Sequence, residues 1–120
     1  MSAKPTTLAR IEKPWGYELI WAQTETYVAK ILFIRAGESL SLQFHRVKEE
    51  TMYFEMGECR VETGQAAEQL ESQVCPAGTA LHIPPGMLHR LTAVTDTRIF
   101  EVSTPHLDDV IRLKDKYGRV

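Results

Sequence analysis

A chain of 120 residues, 43% hydrophobic and 25% charged, is long enough for one domain with its own core and is ordinary in composition for a soluble globular protein. Its net charge of −2 provides no basic face for nucleic acid, and no apolar run approaches a membrane span or a signal-peptide core. Cys59 and Cys75 fit neither a CxxC motif nor a disulfide framework, and are read as buried thiols of a reducing cytoplasm.

Residues 1–14 read as an N-terminal arm or edge segment, because Pro5 and Pro14 limit regular pairing. From Trp15 onward come short apolar runs: WGYELIWA, YVAKILFIRAG, SLSLQFH, TMYFEMGECRVETG, QLESQVCPAG, ALHIPPG, LHRLTAV and TRIFEVSTP. Runs of this length, rich in β-branched and aromatic residues, read as strands. Gly37, Gly57, Gly64, Gly78 and Gly86 fall where turns are needed. Many short antiparallel strands predict an all-β sandwich, barrel or jelly roll over residues 15–120. The last stretch, LDDVIRLKDKYGR, has acids at its start, Val110, Leu113 and Tyr117 at three- and four-residue spacing, and Gly118 at its end. That pattern predicts a short C-terminal helix.

The stretch ESLSLQFHRVKEE alternates Leu40, Leu42 and Phe44 with Ser39, Ser41, Gln43 and His45. A solvated strand face would carry Lys, Glu and Thr, whereas this one carries hydroxyls, an amide and an imidazole. Gln43 and His45, two apart on a strand, reach toward one point, and Glu50 follows within a turn's length. Far downstream, HIPPGMLH places His89 just after a Pro-Pro-Gly turn. A barrel joining these hairpins would gather Gln43, His45, Glu50 and His89 around one divalent cation. Their N/O donor set suits Zn, Mn, Fe, Co or Ni, and Ser39 and Ser41 would line the wall.

Two motifs of the cupin superfamily are spaced alike: G-x5-H-x-H-x3–4-E-x6-G and G-x5-P-x-G-x2-H-x3-N. Here the first runs from Gly37 to Gly57, with Gln43 in the first histidine place, His45 in the second and Glu50 in the carboxylate place. Glu49 also lies within the permitted spacing, but Glu50 leaves the six residues required before Gly57. The second has Gly78, Pro84, Gly86 and His89 in place, with Ala93 replacing the Asn. Through EKPWGYELIW, VAKILFIRAGESLSLQFH and DDVIRLKDKYGR, the chain resembles the cupin domain of type II mannose-6-phosphate isomerases. The resemblance implies a double-stranded β-helix, a jelly-roll cupin barrel, as a single domain over 15–120. It also implies a homodimer, for which Trp15 to Trp21 offers apolar surface. In bifunctional relatives this domain follows a guanylyltransferase domain; at this length nucleotidyl transfer is not expected.

The function expected is a cytoplasmic, metal-dependent isomerase or epimerase of a sugar or sugar phosphate. The cation would act as a Lewis acid on adjacent substrate oxygens and stabilise an enediolate. Lys30, in an otherwise apolar strand, either snorkels at an edge or enters the pocket; the resemblance favours the pocket, where desolvation that lowers its pKa would make it the base. Glu49 and His82 are further candidate bases. Arg46, Arg90, Arg112 and Arg119 are candidates for gripping a phosphate or carboxylate. Tyr53 is expected to pack between layers, with Met52 on the parity of Glu50. Two rivals stand beside the isomerase. His45, Glu50 and His89 alone satisfy the two-histidine, one-carboxylate set of a non-haem iron dioxygenase, and a small cupin can also bind or sense a carbohydrate without turnover.

Overall fold

The computed structural model describes residues 3–120. Eleven strands follow one another among them: β1 (Arg10–Lys13), β2 (Gly16–Gln23), β3 (Val28–Ile34), β4 (Leu42–Phe44), β5 (Glu50–Met56) and β6 (Glu58–Gly64) form the first part. The second part holds β7 (Glu71–Pro76), β8 (Thr79–Ile83), β9 (Leu88–Ala93), β10 (Thr97–Ser103) and β11 (Ile111–Lys114). Every pairing is antiparallel, and the strands form two sheets ordered β1-β2-β3-β10-β5-β8 and β11-β4-β9-β6-β7. The non-sequential neighbours are those of a jelly roll.

Period-two alternation sets which side chains fill the barrel. Along β10, Thr97, Ile99, Glu101 and Ser103 are buried, while Phe100 and Val102 are exposed. Along β5, Glu50, Met52 and Phe54 are buried. Ile34, Phe54, Cys59, Val61, Ile83, Leu91 and Ile99 make the centre of a single apolar cluster. Burying each such large side chain contributes roughly 1.5–3 kcal/mol relative to exposure. Cys59 and Cys75 face each other as cross-strand partners, both buried and both free thiols; burial, then the nearby Cys75, pushes the Cys59 thiol up to about 12. At Gly57, φ is +90°, and a Cβ would overlap the Asp96 carbonyl, so this turn admits no other residue without rearrangement.

The structure corrects two expectations. No helix forms among the described residues, and the segment expected to be helical supplies β11, paired with β4. A helix of that length is marginal on its own, whereas the edge of β4 offers main-chain partners. Asp109, expected to favour a helix start, instead accepts hydrogen bonds from the N–H groups of Arg46, Val47 and Lys48. Tyr53 lies on the outer face, 43% exposed and tilted against Phe100 at 6.2 Å. Met52 is inward, as its parity with Glu50 requires. Within the expected arm, residues 10–13 form edge strand β1 along β2. Trp15 is buried in the core cluster and Trp21 is half-exposed. No helix here is long and apolar enough to cross a membrane.

Candidate metal centre

Two distant hairpins are tied together by main-chain bonds. The turn after Pro84 and Pro85 relies on Gly86, whose φ is +85°. Its N–H donates to the carbonyl of His45 at 2.7 Å, and Gln43 on β4 pairs with His89 on β9. Those contacts bring the strand ends carrying His45, Glu50 and His89 to one end of the barrel.

One potential ligand atom from each of these three buried residues lies within 4.8 Å of the others. His45 Nε2 is 3.2 Å from Glu50 Oε1, and His89 Nε2 is 3.3 Å from the same oxygen. The other ring nitrogens face carbonyls, His45 Nδ1 at 2.6 Å from Asp109 O and His89 Nδ1 at 3.0 Å from Met87 O. A carbonyl only accepts, so each Nδ1 carries a proton and each ring turns its Nε2 toward the carboxylate. His89 Nε2 is buried with no hydrogen-bond partner. A proton or a cation has to sit between these nitrogens and the carboxylate oxygen, and metal-bound histidines are held through their other nitrogen in this way. A chamber of about 10 Å³ touches Gln43, Glu50 and His89, enough for about one water or ion. The donor set fits a divalent cation, and the chamber adjoins Gln43, Glu50 and His89 but not His45.

Lys48 bridges the centre to a second carboxylate. Its Nζ lies 3.2 Å from Glu50 Oε2 and 3.4 Å from Glu101 Oε2, all three side chains being buried. Burial alone would raise the Glu50 pKa, but the His45 and His89 rings and the Lys48 charge hold it well below the usual carboxylate range. Glu101 goes the other way, raised to about 7 by burial and by the charge of Glu50. Burial pulls the Lys48 pKa down, yet Glu101 and Glu50 outweigh it and leave it raised.

A larger cavity of about 320 Å³ shares Ser41, Gln43, Glu50 and Glu101 with the small chamber. It reaches neither histidine ring. Gln43 Oε1 accepts a hydrogen bond from Ser41 Oγ at 2.9 Å. Lys30 belongs to an interior strand, opposite Ile20 and Glu101, and turns into this cavity with Nζ 3.7 Å from Glu18 Oε2. Arg112 and Arg119 also line it.

Other candidates lie elsewhere. Glu49 and His82 form a half-exposed pair at 2.5 Å, away from the cavity because both point from the outer face. Arg90 is forked onto Glu62, Arg46 is exposed, and neither lines the cavity. Ser39 bridges to Thr92 and gives its N–H to Tyr117 Oη. Sequence reading missed Lys48, Glu101 and Glu18. Glu101 and Glu18 are acids at inward strand positions, a signal that needs the correct face to be known; Lys48, inside VKEE, carries no signal that separates it from a solvated loop.

Two antiparallel sheets in jelly-roll order, with two histidines and a glutamate gathered at one end, define a cupin. The chain belongs to the family Mannose-6-phosphate isomerase C-terminal, which it matches over residues 3–115. It is 33% identical over 116 residues to mannose-1-phosphate guanylyltransferase ManC of Salmonella typhimurium, covering 92% of this chain and 23% of that protein. Among the curated relatives it matches, the chain spans about a quarter of the length or slightly less. Two solved structures show the same fold. KdgF from Halomonas sp. has a TM-score of 0.70 at 20% identity, covering 83% of this chain and 86% of that one. Lactobacillus farciminis oxalate decarboxylase, as a formate complex, has a TM-score of 0.73 at 25% identity, covering 88% and 33%.

Proposed function

We propose that this cupin is a metal-dependent isomerase or epimerase of a sugar or sugar phosphate. The observation that carries the reading is the meeting of His45 Nε2, His89 Nε2 and Glu50 Oε1, with both Nδ1 atoms held by carbonyls, beside a cavity of small-molecule size. His45, Glu50 and His89 would hold one divalent ion, with Gln43 at its side. When bound, the ion would polarise neighbouring carbonyl and hydroxyl oxygens of an open-chain sugar. The protein's own groups do the rest. Lys30 and Glu101, cross-strand partners facing the cavity, are placed to take a proton from one carbon and return it to the next. Lys48 keeps the Glu50 carboxylate oriented between the two rings. In this reading the protein works in the cytoplasm as a homodimer, which light scattering checks.

The test couples metal content to proton exchange. Elemental analysis of protein purified without added metal is expected to find one divalent ion per chain. NMR in deuterated water is expected to show deuterium entering C2 of mannose 6-phosphate. A metal-loaded protein that exchanges no proton across aldoses and their phosphates would end the isomerase reading. An iron dioxygenase is the second reading, since His45, Glu50 and His89 by themselves converge as two histidines and one carboxylate. Oxygen uptake with Fe(II) would select it.

A further inference from the structure

Two arginines line the large cavity, and only one of them has an acid. Arg119 is forked onto Asp115 at 2.7 and 3.0 Å. The Arg112 side chain forms neither an ion pair nor a hydrogen bond among the described residues, and its Nε is buried without a partner. The neighbouring acids are already matched. Glu18 faces Lys13 and Lys30, while Glu50 and Glu101 share Lys48. Asp108, the remaining acid of the cavity wall, makes no ion pair with Arg112. A half-buried guanidinium whose Nε is enclosed and unserved therefore stands in the wall of a cavity whose acids it does not neutralise, and a buried donor of this kind calls for a partner.

Its place in the sheet is equally specific. Arg112 on β11 is paired with Gln43 on β4, which is paired with His89 on β9. Two strand spacings put the backbone of Arg112 about 10 Å from that of His89. We infer that Arg112 receives an anionic substituent of the substrate, a phosphate or a carboxylate, in the cavity beside the His45–Glu50–His89 centre. The guanidinium fork matches either anion through paired N–H···O bonds. The inference rests on reading the cavity as a sugar site, and it makes Arg112 a residue that selects charged sugars over neutral ones.

The test uses chelator-stripped protein, so that no anion can bind a metal ion, and titrates it calorimetrically with D-mannose 6-phosphate, D-mannuronate and D-mannose. Both anionic sugars are expected to bind more tightly than mannose, and the tighter of the two identifies the substituent. Arg112→Gln is expected to weaken the anionic ligand by about 10- to 100-fold while leaving mannose unchanged. Arg90→Gln, which removes an arginine outside the cavity, should bind as wild type. Arg112→Lys keeps the charge and loses the fork, so it serves if the glutamine variant does not fold, and it should bind the anionic sugar measurably more weakly. Unchanged anion affinity in Arg112→Gln, wild-type affinity in Arg112→Lys, or wild-type protein that prefers mannose, would overturn the assignment. Proton exchange at C2, measured on metal-loaded protein, separates the two readings. Arg112-dependent anion binding without exchange ends the isomerase and leaves this subsite. Exchange with Arg112-independent binding does the reverse.

Discussion

Along their inward positions, four strands change character from one end of the barrel to the other. Strand β3 passes from Lys30 through Leu32 to Ile34, β5 from Glu50 through Met52 to Phe54, and β9 from His89 through Leu91 to Ala93. Strand β10 runs the other way, from Thr97 through Ile99 to Glu101. One end is a dry hydrocarbon core with Ile34, Phe54 and Ile99 fully enclosed. The other holds rings, carboxylates and ammonium groups that are almost as buried. The difference teaches where each property resides: apolar burial at the first end supplies stability, while the second trades some of it for converging charge.

The comparison can be broken from either end. Phe54→Ala is expected to have the largest effect on stability, about 3–5 kcal/mol by denaturant unfolding, because a fully enclosed ring leaves a cavity. Lys48→Met comes next, at about 3 kcal/mol, because Glu50 and Glu101 lose the cation they share. His89→Ala should destabilise metal-free protein less, by about 1–2 kcal/mol, the cost of its Nδ1–H bond to the Met87 carbonyl and of its contact with Glu50. The same variant should lose bound metal in elemental analysis; full retention would contradict the centre as drawn.

The smallest effect is a matter of pH. The N–H groups of Lys48, Val47 and Arg46 lower the Asp109 pKa from 3.8 to about 2. A depressed carboxylate contributes stability above its unfolded value and loses it as pH falls through the folded one. The difference in melting temperature between wild type and Asp109→Asn should therefore be constant above about pH 4. It should shrink toward pH 2, as calorimetry across that range would show.

Much of the polar end was legible because strand parity and turn glycines fix it locally. Gln43 and His45 share a face by spacing alone, and Gly86 announces the turn before His89. The failures have physical causes. Phe100 and Val102 make the outer face of β10 look like the inner one, so Glu101 reads as solvated although it is buried. The acids Glu62 and Asp115 that engage Arg90 and Arg119 become meaningful only after folding or at close helical-type spacing, which here belongs to a turn. The C-terminal segment was misread because acids and apolar spacing suit a helix, while Asp109 is spent on the backbone of residues 46–48.

The carbonyl of Asp109 that holds the His45 ring has an implication for synthesis. A nascent chain that has emerged as far as His89 already contains every side chain of the triad, yet one imidazole still lacks the group that fixes its orientation. His45 gains that group only once residue 109 has been made and has folded back against residues 46–48, so a metal ion arriving earlier would meet a loosely aimed ring.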